Sequence, residues 1–353
     1  MSIPVSIDTT PQSKPIATRY GISFDALSER ITKLGEKPFR TKQVWEGLYA
    51  QYRPLEAITN VSATLREQLA ADLPFALTEV VRREGDNGRT VKWLWRAFDG
   101  AQVETVLMRY RDRATVCVSS QAGCAMACSF CATGQAGFER HLDVGEIVEQ
   151  VLRAQHDSEQ RVSNVVFMGM GEPLANLDNV WAATERLHAD LGLSARHITI
   201  STVGIVPGMR KLADLPLPVT LAVSLHAPDD ELRNELVPVN KRYPIAAVVD
   251  AAREYVERKG RRVTFEYACI ERVNDQILRA EALAQLLRRF PGGAHVNLIP
   301  LNATDGYGGD PASALRIENF AAVLTEKGVN ATIRRNRGTD IDAACGQLRS
   351  RNL

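Results

Sequence analysis

A repeated alternation between strand-like apolar runs and helical stretches constrains the fold more than any other feature of the chain. The helical stretches carry their own signals, such as a capping box in which Asp143 is followed three residues later by Glu146. Strand–helix units with right-handed crossovers build parallel sheets, and repeated units curl into barrels. The pattern therefore predicts an α/β protein containing a partial (β/α)6 barrel. Its strands are expected at residues 115–118, 164–168, 197–201, 219–224, 263–267 and 296–299.

The chain before the barrel has a different pattern. Residues 1–20 contain three prolines among polar residues and predict a disordered tail. Residues 21–75 have apolar residues at helical spacing and predict a small helical domain. Basic residues near its first turn indicate either RNA docking or an ordinary solvated face. Residues 76–112 alternate with period two and predict a short antiparallel β extension, which leads into the barrel of residues 113–348 and its carboxyl-terminal cysteine loop.

Composition and charge limit the classes of protein that the chain can belong to. Of its 353 residues, 45% are hydrophobic and 24% charged, which is ordinary for a globular protein. The net charge of +1 provides no long-range attraction for nucleic acid, so any RNA contact must come from local basic patches. Each patch taken alone is also compatible with a solvated face. The patches are Arg109, Arg111 and Arg113; Arg258, Lys259, Arg261 and Arg262; and Arg334, Arg335 and Arg337.

No secretory signal and no apolar stretch long enough to span a bilayer is visible in the sequence. We therefore expect a cytoplasmic protein without a membrane partner, and a monomer by default. Four of the six cysteines lie between Cys117 and Cys131. In a reducing compartment, such crowding indicates metal or redox chemistry rather than a disulfide framework.

The densest cysteine segment reads GCAMACSFCATG and contains Cys124, Cys128 and Cys131. Three thiolates from one short loop can hold three corners of a [4Fe-4S] cluster and leave the fourth iron open to a substrate. The alternative is a zinc site that recruits Cys117 or His141 as its fourth ligand. The spacing differs from the paired C-x₂-C arrangement of zinc sites, and no second pair follows.

The C-x₃-C-x₂-C spacing, with the aromatic Phe130 before the last cysteine, resembles the signature of the radical SAM superfamily. The resemblance implies that S-adenosylmethionine (SAM) binds the open iron. An electron from the cluster then cleaves SAM to a 5′-deoxyadenosyl radical.

Polar residues follow the predicted strands where a barrel gathers its ligands. Gly171 and Glu172 end the second strand, where glycine allows close approach of a ligand and a carboxylate pairs with an ammonium group. This segment resembles the GGEP motif, which implies binding of the SAM amino group. Singly, each strand-end residue is compatible with an ordinary turn, but their convergence predicts a cofactor site. The cofactor-binding candidates are Gly171, Glu172, Ser201, Ser224, Leu225, His226 and Asn302.

Several further segments resemble the RlmN/Cfr family of adenine methyltransferases over roughly residues 24–348. These segments are VETV, RATVCVSSQAGC, GMGEPLANLDNV, AVSLHAP, NLIPLN and RGTDIDAACGQL. The resemblance implies a transferase that uses two SAM molecules per turnover and carries the methyl group on Cys345. It also implies that Cys117 releases the product through a transient disulfide, and that Glu104 accepts a proton. Cys269 matches no motif and is expected to pack in the core.

Residues 337–342 look closer to the RlmN type. That type methylates C2 of an adenosine in the peptidyl transferase centre of 23S rRNA and, in some members, the adenosine that follows the tRNA anticodon. The Cfr type methylates C8 and confers antibiotic resistance. Expected partners are 23S rRNA, tRNA if the chain resembles those members, and a reducing electron donor such as flavodoxin. A hypothesis from another class is a zinc-stabilised RNA-binding protein without catalysis.

Overall fold

The computed structural model describes residues 17–304, 306–334 and 336–348. Most of the predicted tail, residues 1–16, lies outside the described residues, as does Arg335 of the third basic patch. The prediction of a tail as far as residue 20 is too long. Arg19 donates from its backbone nitrogen to Pro74 O, and the buried ring of Tyr20 packs edge-on against Tyr49, so these residues belong to the core.

Three helices form the amino-terminal part of the described chain: α1 (Phe24–Lys33), α2 (Phe39–Tyr49) and α3 (Ala63–Asp72). Ser23 and Ser62 cap α1 and α3 by accepting hydrogen bonds from backbone nitrogens of the first turn. This part is attached to the rest of the protein by polar contacts. The Trp45 indole donates to Asp190 Oδ1 at 3.0 Å, and the Arg186 guanidinium donates to Tyr20 O at 2.7 Å.

The sheet has ten strands, ordered β1-β2-β3-β4-β7-β8-β9-β10-β11-β12. Strands β1 to β4 pair antiparallel, and every pairing from β4 to β12 is parallel. The bounds of these strands are β1 Leu77–Gly85, β2 Thr90–Ala97, β3 Gln102–Arg109, β4 Ala114–Cys117, β7 Val162–Phe167, β8 Ile198–Thr202, β9 Thr220–Ser224, β10 Val263–Cys269, β11 His295–Pro300 and β12 Asn330–Ile333. A separate hairpin pairs β5 (Gln121–Gly123) with β6 (Phe138–His141).

Helices connect the parallel strands. They are α4 (Ala132–Ala136), α5 (Val144–Asp157), α6 (Leu177–Ala189), α7 (Val206–Asp214), α8 (Asp230–Leu236), α9 (Ile245–Lys259), α10 (Ile277–Leu287) and α11 (Ala314–Glu326). The predicted capping box is present at α5, where Asp143 and Glu146 each accept a hydrogen bond from the other's backbone nitrogen at 2.9 Å. None of the helices among the described residues is long and apolar enough to cross a membrane.

The predicted α/β class and the six predicted parallel strands are confirmed. They correspond to β4, β7, β8, β9, β10 and β11. A seventh parallel strand, β12, was not predicted, because this edge strand is short and largely exposed and therefore has no continuous apolar run. After β12 the chain returns towards β1 and β2, where Gly338 N donates to Asp86 Oδ2 at 2.9 Å.

Candidate active site

The carboxyl ends of the parallel strands surround a cavity of about 160 Å³, here called the cluster cavity. Adjacent to it lies a smaller cavity of about 70 Å³, here called the thiol cavity. Met168, Ile299, Arg334 and Cys345 line both cavities. The cavities therefore share a wall at the edge of the sheet where barrel folds place their chemistry.

The loop of residues 124–131, here called the cluster loop, brings Cys124, Cys128 and Cys131 to the wall of the cluster cavity. Its shape is fixed by backbone hydrogen bonds, including Cys131 N to Cys128 O at 3.2 Å and Cys124 N to Gly137 O at 2.6 Å. A side chain at Gly134 would come within 2.9 Å of Cys128 N, so the loop packs directly against the backbone of α4. The three thiols are thus presented by one tightly wound segment.

The cluster loop also packs against α8. Ser129 N donates to Leu236 O at 3.1 Å, and Phe130 packs in an apolar cluster that includes Leu232 and Val237. The Phe130 ring meets the His226 ring edge-on, with centroids 4.8 Å apart. The aromatic residue of the sequence signature therefore joins the cluster loop to the end of β9.

The donor set fits an iron–sulfur cluster. Burial raises the pKa of Cys124 to about 12 and that of Cys128 well above its usual range, and repulsion between the neighbouring thiolates adds to both shifts. Loss of these protons requires a bound cation. Among the described residues, no three His, Cys, Asp or Glu side chains converge as ligands of a single ion. A cubane does not need such convergence, because each thiolate binds a different iron.

Gly171 and Glu172 follow β7 and line the cluster cavity. Gly171 has a φ of 100°, and a Cβ there would lie 2.6 Å from Cβ of Gln121, so only glycine fits. The Glu172 carboxylate accepts hydrogen bonds from Leu174 N at 3.0 Å and Val203 N at 2.9 Å. Burial raises the pKa of Glu172 to about 7, and a cationic ligand would stabilise its charged form.

The other strand-end candidates divide into two groups. Ser201, Ser224, His226 and Asn302 line the cluster cavity, whereas Leu225 is fully buried and is absent from its wall. His226 Nδ1 accepts a hydrogen bond from Ala268 N at 3.0 Å. Burial, together with the nearby Arg233 charge, lowers the pKa of His226 to about 3, so its ring is neutral.

A buried arginine that the sequence analysis missed organises this wall. Arg233 of α8 donates to Val203 O at 2.6 Å, Ser224 O at 3.0 Å and Leu225 O at 2.9 Å. A fourth hydrogen bond reaches Asn240 Oδ1 at 2.6 Å. One guanidinium thus joins the ends of β8 and β9 to the helix that supports the cluster loop. Glu266, also missed, lines the cavity from β10. A charged residue inside an apolar strand run was the available signal.

Cys117 and Cys345 meet at the thiol cavity. Cys117 ends β4 and is buried, whereas Cys345 exposes its side chain through the cavities. Burial raises the pKa of Cys117, and the neighbouring Cys345 adds to this shift. Surrounding protein also raises the pKa of Cys345, although the positive charge of Arg334 opposes the effect. All six cysteines are free thiols.

Polar contacts hold the loop that carries Cys345. Asn302 Nδ2 donates to Cys345 O at 2.9 Å, and Ala132 N donates to Gly346 O at 2.8 Å. Asn302 therefore holds this loop as well as lining the cluster cavity. Ala132 is the residue after Cys131, so its hydrogen bond connects the Cys345 loop directly to the cluster loop.

Glu104 lies on β3, outside the residues that line the two cavities. Its buried carboxylate is 3.4 Å from Lys92 Nζ, and Lys92 also donates to Asp342 O at 3.1 Å. Glu104 is two residues from Val106, which pairs with Cys117 and lines the thiol cavity. Glu104, the expected proton acceptor, therefore lies near the thiol cavity without lining it.

The remaining candidates lie elsewhere. Cys269 is buried on β10 and absent from both cavity walls, as expected for core packing. His141 faces Gln121, with 3.0 Å between its Nδ1 and the amide nitrogen, and does not line the cluster cavity.

Comparisons with known proteins agree with this architecture. Residues 118–283 match the model of the radical SAM superfamily, and residues 20–73 match that of the ribosomal RNA large subunit methyltransferase N-terminal domain. A solved structure, a radical SAM methyltransferase from Sphaerobacter thermophilus, has a TM-score of 0.90 and 46% identity, covering 95% of this chain and 100% of that one. Fold and site therefore define a radical SAM methyltransferase.

Two curated relatives narrow the class. A protein from Saccharopolyspora erythraea is 48% identical over 98% of both chains, and one from Rhodococcus opacus (strain B4) is 51% identical over the full length of both. Both are named probable dual-specificity RNA methyltransferase RlmN. The chain belongs to the RlmN family of radical SAM RNA methyltransferases, a family that implies a [4Fe-4S] cluster and SAM.

Proposed function

We propose that the protein methylates C2 of an adenosine in 23S rRNA and of the adenosine that follows the anticodon in tRNA. The observation that carries this proposal is the shared thiol cavity of Cys117 and Cys345, next to the cavity lined by the three cluster cysteines. Relatives about half identical to this chain, named as dual-specificity RNA methyltransferases, support two RNA substrates. The resemblance of residues 337–342 to the RlmN type favours C2 over C8.

Cys124, Cys128 and Cys131 would hold the cluster, and SAM would bind among Gly171, Glu172, Ser201, Ser224, His226 and Asn302, which line the same cavity. Leu225 contributes through its backbone, because Arg233 holds its carbonyl oxygen. When bound, the cluster and SAM would supply a 5′-deoxyadenosyl radical as the acceptor of a hydrogen atom from a methyl group. A radical route is required because the target ring carbon is electrophilic and resists direct methyl-cation transfer.

Cys345 serves first as a nucleophile, because its thiolate accepts a methyl group from one of two SAM molecules used per turnover. The nearby Arg334 charge favours that thiolate. After the methyl carbon has bonded to the adenine ring, Cys117 attacks the sulfur of Cys345. By then the ring adduct has given up one electron and one proton. A sulfur–sulfur bond forms as the carbon–sulfur bond breaks, and the bonding pair passes to the carbon, which takes up a proton to complete the methyl group. The methylated base is released, and an external reductant must return the disulfide to two thiols before the next turnover. Glu104 accepts the proton removed from the ring, with Lys92 holding its carboxylate.

The reaction also needs an external electron donor, for which a flavodoxin-type protein is our candidate, and we expect a cytoplasmic monomer. The decisive experiment is mass spectrometry of rRNA and tRNA nucleosides from cells with and without the gene. We expect 2-methyladenosine in both RNA fractions only when the gene is present. Appearance of 8-methyladenosine instead would assign the chain to the Cfr type.

The non-catalytic alternative is tested by metal analysis of anaerobically purified protein. A cubane predicts about four irons and four sulfides per chain. One tightly bound zinc in a colourless protein would support an RNA-binding module.

A further inference from the structure

Two basic patches that are far apart in the sequence meet around one aromatic ring. The turn between β3 and β4 is closed by a hydrogen bond from Tyr110 N to Arg113 O at 2.8 Å. Arg113 places its guanidinium carbon 4.2 Å from the centre of the Tyr110 ring. Arg337, from the segment after β12, places its own 4.3 Å from the same centre. The ring thus holds two positive charges as close neighbours.

Three members of this group lie in the wall of the thiol cavity. Tyr110, Arg334 and Arg337 line the thiol cavity together with Cys117 and Cys345. Arg113 stands beside them on the exposed turn, with 48% of its side chain accessible. A substrate that reaches the two thiols through this cavity therefore passes these arginines.

Among the residues that the structure describes, no strong ion pair cancels the charges in this group. The Arg113 guanidinium is 3.5 Å from Asp112, but that carboxylate is 77% exposed, and such pairs contribute little. The positive charge of Arg337 acts on the Asp86 carboxylate, and that of Arg334 acts on the Glu266 carboxylate. Both carboxylates also accept hydrogen bonds from other groups. Asp86 accepts hydrogen bonds from Thr90 Oγ1 and Gly338 N, and Glu266 accepts them from Thr264 and Asn297.

We propose that Arg113 and Arg337, stacked on Tyr110, and Arg334, which lines the same cavity, form a phosphate-binding rim that holds the RNA strand on either side of the target adenosine. The inference rests on the proposed function and adds the surface that its RNA substrate uses. Guanidinium groups bind phosphate through two parallel hydrogen bonds, and stacking on Tyr110 orients two of them in advance.

The chemistry of the substrate explains why the charge is concentrated here. A base modified inside a cavity must leave its stack, whereas its flanking phosphates stay outside at the entrance. With a net charge of only +1, the whole protein attracts RNA weakly, so a local group of arginines must supply the contact.

The test measures RNA affinity as a function of salt concentration for the iron-loaded protein and its Arg113→Gln and Arg337→Gln variants. The probes are protein-free 23S rRNA and total tRNA, with affinity determined by filter binding. Loss of one phosphate contact lowers the slope of log K against log salt by about 0.7 to 0.9, which corresponds to about five- to eightfold weaker binding at 0.1 M salt. Iron content and SAM affinity should not change.

Three further variants separate charge from structure. Arg113→Lys and Arg337→Lys keep the charge and should retain most of the salt slope. Asp112→Asn removes the carboxylate that competes for Arg113 and should strengthen RNA binding. The matched control is Arg253→Gln, an arginine of α9 that pairs with Asp250 and lines neither cavity, and its slope should equal that of the unaltered protein.

Unchanged RNA affinity and an unchanged salt slope in both glutamine variants would contradict the proposal of a phosphate-binding rim. If RNA binding were unchanged but reduction of the cluster by flavodoxin slowed, the surface would serve the electron donor, and the rim would equally be rejected. Failure of the proposed function looks different. In that case the glutamine variants still lose salt slope, but the unaltered protein forms no 2-methyladenosine.

Discussion

The cluster cavity and the thiol cavity touch each other, but the chain builds them in opposite ways. The three cluster cysteines come from one short loop, which is fixed by hydrogen bonds within itself and by packing on α8. The thiol cavity instead joins Cys117, at the end of β4, to Cys345, near the end of the chain. The first site is local in sequence, whereas the second exists only after the whole sheet has formed.

Because the two cavities are built differently, we expect mutations in one of them to affect different functions from mutations in the other. Cys345 is carried on a segment held by hydrogen bonds from Asn302, Lys92, Ala132 and Thr133. Ile341, Ala343 and Leu348 of this segment also pack in the core. Replacing a side chain of this segment leaves the hydrogen bonds within the cluster loop in place. Damage to the cluster cavity should therefore abolish every activity, and damage to the thiol cavity should spare cofactor binding.

The largest effect is expected for Cys128→Ser, which removes the most buried cluster thiol. Iron content, SAM binding and methyl transfer should all be lost, because the cluster loses one of three protein ligands. Iron analysis and isothermal titration calorimetry with SAM check this. The matched control is Cys269→Ser, a buried cysteine that lines neither cavity and should keep its iron.

Cys345→Ala should abolish methyl transfer while retaining iron and SAM binding. The reason is that the nucleophile disappears from the shared wall, whereas the cluster loop stays intact. Nucleoside mass spectrometry after reaction with RNA, combined with iron analysis, separates the two properties. Full methylation by this variant would eliminate the methyl-cysteine route.

An intermediate effect is expected at Arg233. Arg233→Met leaves the carbonyl groups of Val203, Ser224 and Leu225 without their donor, which costs on the order of several kcal/mol in the free energy of unfolding. SAM affinity should fall more than in Arg233→Lys, which keeps the charge and part of the hydrogen bonding. Urea unfolding and calorimetry measure the two quantities.

The control for Arg233 is Arg186→Met, which removes an arginine bound to the carbonyl groups of Tyr20 and Ile22, away from both cavities. Its SAM affinity should match that of the unaltered protein. Equal SAM affinity in Arg233→Met and the unaltered protein would show that the strand ends keep their positions without this residue.

The smallest effect is expected for Asp86→Ala. Asp86 accepts a hydrogen bond from Gly338 N, and its loss costs about 1 kcal/mol, which loosens the segment leading to Cys345. We expect a severalfold slower methyl transfer with unchanged SAM affinity. Single-turnover kinetics detects the difference, and a change in SAM affinity instead would mean that the two cavities are not separable.

Features that are local in the sequence could be predicted, whereas features that depend on the folded chain could not. Apolar runs identified the six inner parallel strands, and the cysteine spacing identified the cluster loop, because both signals are local. The exposed edge strand β12 lacked an apolar run and was missed. Arg233 looked like an ordinary helix residue, since its role depends on carbonyl groups that three-dimensional folding brings to it. Leu225 was expected at the cavity but is buried beside it, because its side chain faces the core.

The central claim is that the Cys117 and Cys345 thiols act on one substrate in one cavity. Mass spectrometry of peptides from Cys117→Ala protein, incubated with SAM, reductant and RNA, tests it most directly. Without the attacking thiol, we expect a covalent adduct in which the sulfur of Cys345 is joined through one carbon to adenosine. Free methylated RNA together with unmodified Cys345 would contradict the claim.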